Sequence, residues 1–270
     1  MLDHVRRGRG LDCSQYKDNF LRRRLAVRMR ARGADTYQGY LAVLRSDPAE
    51  FDALVTALTI NLSYFFRDEA VFEALRYAVL TPLVAKRAQA GLKRLTVWSA
   101  GCAGGEEPYS VAMILADLLG PALPKWGLRI HATDVDATSL ARARRGVYRA
   151  ASFQNLQAGF VERYFVQDGD RYILKPTIRQ MVTFQQHALT APPLLPHYDL
   201  ILCRNVLIYF VREHQEGIVR HLLDHLEPGG YMMLGMTEML PLALYSRLET
   251  VDGRLRIYRK SNSYPCEGCE

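Results

Sequence analysis

LTVWSAGCAGGEEPYS, from Leu95 to Ser110, joins a short apolar run to a glycine-rich loop and two glutamates. The β-branched and aromatic residues before Ala100 are typical of a buried strand. The glycines let the backbone turn sharply and approach a ligand closely. A helix is expected from Pro108 to Leu119. Strand, glycine-rich loop and helix in this order are typical of the opening of a doubly wound α/β sheet.

The segments that follow continue this alternation. Leu128–Thr133 is predicted to be a second strand ending at Asp134, and Ala137–Arg145 a helix that stops at Gly146. Further elements are predicted at residues 198–203 (strand), 213–226 (helix ending at a Pro-Gly-Gly turn), 231–235 (strand) and 255–259 (edge strand). The fold class is therefore α/β, with a Rossmann-like doubly wound sheet.

Residues 147–185 interrupt the alternation. Arg171–Pro176 and Met181–Phe184 resemble short strands, and Asp168 to Asp170 resembles a hairpin turn. We expect a small antiparallel β-subdomain inserted here.

The first 70 residues carry helix signals and few strand signals. Helices are predicted at residues 16–32, 37–45 and 49–58, and a further one over residues 69–90 leads to the first strand. We expect a helical N-terminal domain over residues 1–70, an α/β domain over 71–260 and a flexible tail over 261–270.

The positive charge is concentrated near the N-terminus. Residues 1–32 hold ten Lys/Arg against three acidic residues, a net charge of +7, which equals that of the whole chain. In the predicted helix over 16–32, arginines occupy the positions between apolar residues at helical spacing. This density favours docking to an anionic partner: nucleic acid, acidic lipid or an acidic protein face. The candidate docking residues are Arg22, Arg23, Arg24, Arg28 and Arg30.

Composition excludes several classes of protein. With 49% hydrophobic and 23% charged residues the chain is typical of a globular protein. No apolar run reaches the roughly 18 to 20 residues of a membrane span, and no signal peptide is visible. Five cysteines form no disulfide framework, and the CxxC at Cys266 and Cys269 lacks a second pair for zinc. We expect a cytoplasmic monomer without a metal or membrane insertion.

The charge of the glycine-rich loop restricts its ligand. Glu106 and Glu107 lie where a dinucleotide pyrophosphate needs a helix N-terminus free of negative charge. Two carboxylates instead suit S-adenosylmethionine, which carries a sulfonium and an ammonium but no phosphate. Asp134 is placed to accept hydrogen bonds from both ribose hydroxyls. The spacing favours a methyltransferase, and a nucleotide-binding oxidoreductase is the less favoured alternative.

Five blocks of sequence, in order, resemble the motifs of the CheR chemotaxis receptor methyltransferases. They are TINLSYFFRD (59–68), VWSAGCAGGEEPYS (97–110), ATDVD (132–136), RGVY (145–148) and CRNVLIYF (203–210). The resemblance runs from about residue 15 to residue 260. It implies a helical N-terminal domain and a catalytic domain with a three-stranded β-subdomain. It also implies methyl esterification of glutamates on the cytoplasmic helical bundle of chemoreceptors, with S-adenosylhomocysteine as product.

The resemblance also implies cofactor contacts. Ser63 stands where the family usually has Thr, which keeps the hydroxyl, and Ala188 stands where Asn is common, so its contact must be through the backbone. The implied contacts are Asn61, Ser63, Arg67, Glu106, Asp134, Ala188, Leu189, Arg204 and Asn205. Because a glutamate acceptor has a pKa of about 4.3, it is ionised at pH 7 and needs no general base. We therefore assign no catalytic residue, and Tyr209 either faces the transferred methyl group or belongs to the core.

Two other functions fit parts of the sequence. A nucleic-acid methyltransferase would also use the basic helix, but residues 203–209 lack the Asn/Asp-Pro-Pro-Tyr arrangement of enzymes that methylate base amines. A non-catalytic module that binds S-adenosylmethionine is the third possibility, and the retained Arg67, Glu106 and Asp134 argue against it. We expect no nucleic-acid partner.

Some members of the family hold a short peptide at the receptor C-terminus on an edge of the β-subdomain. Residues 164–184 are compact here, and the loop before Tyr172 looks shorter than in such members. We therefore expect no C-terminal pentapeptide tether, so that the basic helix contacts the receptor instead.

Overall fold

The computed structural model describes residues 13–58, 63–156, 158–193 and 195–261. Asn61 and the C-terminal CxxC therefore lie outside the described residues, as does the tail expected from residue 261, apart from Ser261. In the part of the chain that is described, no helix combines the length and apolar character needed to cross a membrane.

Three helices follow one another in the N-terminal part: α1 (Asp18–Ala31), α2 (Tyr37–Ser46) and α3 (Pro48–Leu58). They enclose a small apolar core of their own, in which Leu25 and Leu54 are buried. Glu50 is also buried there. Its carboxylate pairs with the Arg28 guanidinium at 2.5 Å and accepts a hydrogen bond of 2.6 Å from the Tyr40 hydroxyl. Arg28 is therefore committed to the interior contacts of this helical unit.

The long helix predicted over residues 69–90 is present in three nearly continuous parts. They are α4 (Glu69–Ala74), a π-helical segment (Leu75–Leu80) and α5 (Thr81–Gln89). The later helices are α6 (Glu106–Leu119), α7 (Ala137–Arg145), α8 (Ala158–Tyr164), α9 (Pro176–Arg179) and α10 (Arg212–Asp224).

A seven-stranded sheet forms the centre of the molecule, in the order β6-β2-β1-β7-β8-β10-β9. Its strands are β1 (Arg94–Ala100), β2 (Gly127–Asp134), β6 (Val182–Gln186), β7 (Tyr198–Cys203), β8 (Leu226–Leu234), β9 (Leu248–Asp252) and β10 (Ile257–Lys260). The first five in spatial order are parallel, and β10 is antiparallel to both of its neighbours. This confirms the expected α/β class and places the carboxyl ends of β1, β2 and β7 at one edge of the sheet.

The inserted antiparallel β-subdomain is present with the three strands that the resemblance implies, but its last strand ends at residue 174 rather than near residue 185. It consists of β3 (Val147–Arg149), β4 (Phe165–Asp168) and β5 (Arg171–Leu174), in the order β3-β5-β4. The run Met181–Phe184, which we placed in the insertion, instead contributes to β6, which is parallel to β2 in the main sheet. That prediction was wrong because a short apolar run looks the same in a parallel and an antiparallel sheet.

Two further predictions need correction at the end of the chain. The strand predicted at residues 255–259 is not an edge strand, because β10 is covered by β9. Four of the five residues of β9 are exposed or half-buried, so it lacks the apolar pattern that would have revealed it. The last helix ends at Asp224, and the Pro-Gly-Gly turn expected to stop it lies within β8.

A short N-terminal strap, defined here as Cys13–Lys17, joins the helical part to the sheet. The Lys17 amide donates to the Tyr209 carbonyl and the Val211 amide donates to the Gln15 carbonyl, each at 2.9 Å. Between these bonds, Tyr16 and Phe210 form an antiparallel bridge with ring centroids 4.7 Å apart. The strap therefore fixes the start of α1 beside the segment that follows β7.

Candidate active site

A cavity opens where the carboxyl ends of β1, β2 and β7 meet, which is where ligands bind in sheets of this type. Its walls come from the strap, the segment before α4, the glycine-rich loop and the segments after β2, β6 and β7. The lining includes Gln15, Tyr16, Ser63, Arg67, Phe72, Gly101, Glu107, Asp134, His187, Ala188, Leu189, Arg204, Asn205 and Tyr209. Seven of the nine implied cofactor contacts thus meet here; the other two are Asn61, which is not described, and Glu106.

The glycine-rich loop needs its glycines for two reasons. Gly101 and Gly105 have φ angles of +80° and +87°, which disfavour any other residue. A Cβ on Gly101 would also lie 2.4 Å from Cγ2 of Val206. The Gly101 and Cys102 amides donate to the Thr133 carbonyl, which ties the loop to the end of β2.

Asp134 is buried at the end of β2, and its carboxylate is held in place on both sides. One oxygen accepts from the Ala103 amide and the other from the Asp136 amide, each at 2.9 Å. Burial raises the pKa of this carboxyl. Because a carboxylate oxygen can accept more than one hydrogen bond, both oxygens retain capacity for a ligand in the cavity.

The two glutamates at the start of α6 face different ways. Glu107 lines the cavity, accepting hydrogen bonds from the Ser99 hydroxyl at 2.8 Å and from Arg204 at 3.2 Å. Glu106 is only 2% exposed and interacts with Arg142 and the Ser63 hydroxyl, and burial raises its pKa. Consecutive helical residues point about 100° apart, so one of the pair turns away. The motif pointed to Glu106, but Glu107 is the glutamate on the cavity.

Arg204 connects three segments around the cavity. Its side chain is 2% exposed and pairs with Asp68 at 2.7 Å and with Glu107 at 3.2 Å. It also donates to the Arg67 carbonyl at 3.0 Å, and its guanidinium lies 5.3 Å from the Phe72 ring centroid. Arg204 thereby holds Glu107 in position while it neutralises two carboxylates.

The residue after Arg204 has a strained backbone. Asn205 has a φ of +59°, and its amide donates to Glu238 at 3.0 Å. Glu238 is buried and also accepts from the Gly235 and Ile208 amides, and burial raises its pKa. Sequence analysis missed Glu238 because a lone acid in a loop gives no signal of the three amides it will meet.

The segment after β6 and Tyr209 complete the cavity. Ala188 and Leu189 line it, and the adjacent His187 has a buried Nδ1 without a hydrogen-bond partner among the described residues. Tyr209 lines the cavity, and its ring centroid lies 4.9 Å from that of Phe20 of α1, so it packs against the apolar core as well. Its position facing the transferred methyl group stays a prediction. Sequence analysis missed His187 and the strap residues, which come from segments without a recognisable motif.

The five candidate docking arginines differ in their surroundings. Arg22, Arg23 and Arg30 are exposed, and Arg22 pairs with Asp18 on its own helix. Arg24 is half-buried beside Phe20, and Arg28 is occupied by Glu50. Burial raises the pKa of the Tyr209 hydroxyl. The positive charges of Arg67, Arg24 and Arg23 partly offset this rise. Phe20, which contacts both Arg24 and Tyr209, places the first turns of α1 next to this part of the cavity wall.

The residues of the cavity fit a cationic nucleoside. Glu107 and Asp134 supply negative charge, Phe72 and Tyr16 supply aromatic surface, and His187 supplies an unused polar atom. A carboxylate at the start of α6 opposes a pyrophosphate. Among the described residues, no three His, Cys, Asp or Glu side chains are grouped so as to hold a metal ion.

Comparisons with known proteins agree with this geometry. The family model described as "CheR methyltransferase, SAM binding domain" matches residues 61–257, and "CheR methyltransferase, all-alpha domain" matches residues 1–59. The chemotaxis protein methyltransferase of Salmonella typhimurium is 34% identical over 242 residues, which covers 85% of this chain and 78% of that protein. Its counterpart in Listeria monocytogenes is 33% identical over 236 residues, covering 87% of each chain.

Two further likenesses are more limited. An uncharacterized 104.1 kDa protein of Rhodobacter capsulatus is 36% identical over 245 residues. The matched region spans 90% of this chain but only 25% of that protein. The solved structure of the glycopeptide N-methyltransferase MtfA matches 56% of this chain and 53% of its own with 16% identity and a TM-score of 0.34.

The different surroundings of the two glutamates give a direct test. We expect Glu107→Gln to weaken binding of S-adenosylhomocysteine about tenfold or more, because it removes a cavity charge that Arg204 orients. Glu106→Gln is the matched control and should change affinity by less than about threefold. Calorimetric titration of both variants measures this, and the opposite ranking would return Glu106 to the cofactor site.

Proposed function

Because this chain belongs to the CheR methyltransferase family, we propose that it methylates glutamate side chains of chemoreceptors, forming methyl esters. The chain is an S-adenosylmethionine-dependent methyltransferase. The observation that carries the proposal is the cavity at the ends of β1, β2 and β7, which Glu107 and Asp134 line and whose wall residue Tyr209 packs on Phe20 of α1.

In methyl transfer to a glutamate, the main task of the protein is to position the cofactor and the acceptor. S-adenosylmethionine, when bound, supplies a methyl group on a positively charged sulfur. The acceptor glutamate is already ionised at pH 7, so the chain needs to orient it and exclude water rather than remove a proton. We propose that Ser63, Arg67, Glu107, Asp134, Ala188, Leu189, Arg204 and Asn205 hold the cofactor, together with Asn61. Tyr209, on the wall nearest α1, would flank the acceptor.

We further propose that the N-terminal part, the α/β part and the tail have different roles. Residues 1–70 would dock the receptor and contribute Asn61, Ser63 and Arg67 to the cofactor site. Residues 71–260 would supply the rest of that site and transfer the methyl group, and residues 261–270 would be a tail. The partner would be an acidic face of the receptor's cytoplasmic helical bundle, so the enzyme would act in the cytoplasm, as a monomer. The exposed Arg22, Arg23 and Arg30 on α1 support this assignment.

The chemical nature of the product tests the proposed function. Receptor-containing membranes incubated with the enzyme and methyl-labelled S-adenosylmethionine should acquire label that mild alkali releases as methanol. Label in nucleic acid, or alkali-stable label in protein, would contradict the proposal. No transfer despite cofactor binding would favour the non-catalytic module.

The docking surface yields a separate expectation. Changing Arg22, Arg23 and Arg30 together to Ala should lower kcat/KM for receptor about tenfold at low salt and flatten its salt dependence, because the removed charges steer an acidic partner. Cofactor affinity should stay within about twofold. Arg94, Arg129 and Arg254, which are also exposed and lie outside the helical part, provide a charge-matched triple control. Equal activity of both triple variants at low and high salt would make this face a solvated surface only.

We propose that no receptor tether peptide is required. Only Gly169 and Asp170 separate β4 from β5, and Gly169 has a φ of +60°, so the hairpin turn is tight and adds no loop beside the edge strand. Titration with peptides from receptor C-termini should give no binding tighter than about 100 μM. Micromolar affinity for any such peptide would refute this proposal.

A further inference from the structure

The N-terminal strap contributes Gln15 and Tyr16 to the lining of the cofactor cavity. Tyr16 lines the cavity and is fixed by the backbone bonds of its two neighbours to the segment after β7. Its ring packs against Phe210 at 4.7 Å. A side chain held from both sides in this way presents a defined surface to a ligand.

The Tyr16 hydroxyl is available to a ligand. It has no hydrogen-bond partner among the described residues. The negative charge of Asp134 is close enough to interact with it electrostatically. Burial, with a smaller contribution from that charge, raises the pKa of the phenol, so it stays protonated at neutral pH. A phenol both donates and accepts, which suits the hydroxyl groups of a nucleoside.

We infer that Tyr16 is a cofactor-binding residue, supplied by the N-terminal strap, whose hydroxyl hydrogen-bonds the nucleoside part of S-adenosylmethionine beside Asp134. No sequence motif assigned it. The inference rests on the cofactor alone and is independent of the identity of the methyl acceptor.

This contact would couple the cofactor to the docking helix. α1 begins at Asp18, two residues after Tyr16, and Phe20 in its first turn packs on Tyr209. A ligand that holds Tyr16 therefore also stabilises the start of α1. By thermodynamic linkage, whatever stabilises α1 in this position strengthens cofactor binding by the same factor.

Two variants separate the hydroxyl from the ring. Tyr16→Phe keeps the ring packing and should weaken S-adenosylhomocysteine binding about three- to tenfold, whereas Tyr16→Ala should weaken it about 10- to 100-fold. Tyr37→Phe, at a tyrosine that is 52% exposed on α2, is the control and should bind like the unchanged protein. Calorimetry measures the affinities, and circular dichroism verifies that each variant is folded.

Hydrogen exchange tests the coupling. S-adenosylhomocysteine should slow exchange of the amides in the first turns of α1 in the unchanged protein but not in Tyr16→Ala at saturating ligand. The amides of the glycine-rich loop should be slowed in both, which shows that the ligand is bound. The inference would be overturned if both Tyr16 variants bound the ligand within about twofold of the unchanged protein. It would also be overturned if the exchange rates in α1 were the same with and without the ligand. Neither measurement uses a receptor, so failure here would leave the proposed acceptor untouched.

Discussion

Arg204→Met is expected to reduce S-adenosylhomocysteine affinity by 100-fold or more and to destabilise the fold. The methionine keeps an apolar stem against Phe72 but leaves Glu107 and Asp68 without their cation. Removing one partner of a buried ion pair costs about 3 to 5 kcal/mol, which corresponds to roughly 100- to 5000-fold if it falls on binding. Calorimetry measures the loss of ligand affinity, and urea unfolding measures the loss of folding stability.

Arg87→Met is the matched control for this prediction. Arg87 on α5 also pairs with a buried carboxylate, that of Asp199. Asp199 lies at the start of β7, at the opposite end of the strand from Arg204. Its loss should lower the free energy of unfolding to a similar extent but leave cofactor affinity within about threefold. If Arg204→Met also retained affinity, Arg204 would be a structural residue without influence on the cavity.

Asp134→Ala is expected to weaken binding of both S-adenosylmethionine and S-adenosylhomocysteine. Loss of a carboxylate bonded to two ribose hydroxyls should cost about 1.5 to 3 kcal/mol, or about 10- to 150-fold in affinity. The change also leaves the Ala103 and Asp136 amides without their acceptor, so the apo protein should become less stable. Calorimetry with each ligand measures the first effect, and thermal unfolding without ligand measures the second.

Asp136→Ala separates these effects. Asp136 caps α7 by accepting from the Thr138 amide at 2.9 Å, and it does not line the cavity. This variant should lose about 1 kcal/mol of stability while its affinity for either ligand stays the same. Unchanged affinity in Asp134→Ala as well would remove Asp134 from the cofactor site.

The site residues that can be predicted from the sequence are those that directly follow a recognisable strand in the chain. The glycine-rich loop and Asp134 each follow a recognisable strand, and parallel strands bring their carboxyl ends together. Arg204 and Asn205 follow β7 in the same way. Their convergence on one cavity is therefore predictable from the sequence alone.

The remaining parts depend on contacts between distant segments. Which of Glu106 and Glu107 faces the cavity depends on the rotation of α6 relative to β1, which no local pattern specifies. Glu238, which supports Asn205, and Tyr16, which lines the cavity, come from segments with no motif. The Glu238 carboxylate and the two chain neighbours of Tyr16 form hydrogen bonds with the segment after β7. The parallel pairing of β6 likewise depends on where the chain returns after α9, rather than on its three apolar or β-branched residues.

The strap also bears on the order in which this chain can fold. Its hydrogen bonds join Gln15 and Lys17 to residues roughly 190 positions later in the sequence. The helices α1 to α3 have a local core, so they can form while the chain is still being synthesised, but the strap must wait for the segment after β7. Closing so long a loop costs little more than closing one of half its length, yet it cannot happen early. The cavity is therefore among the last features to be completed, and a nascent chain cannot retain the cofactor until most of it has been made.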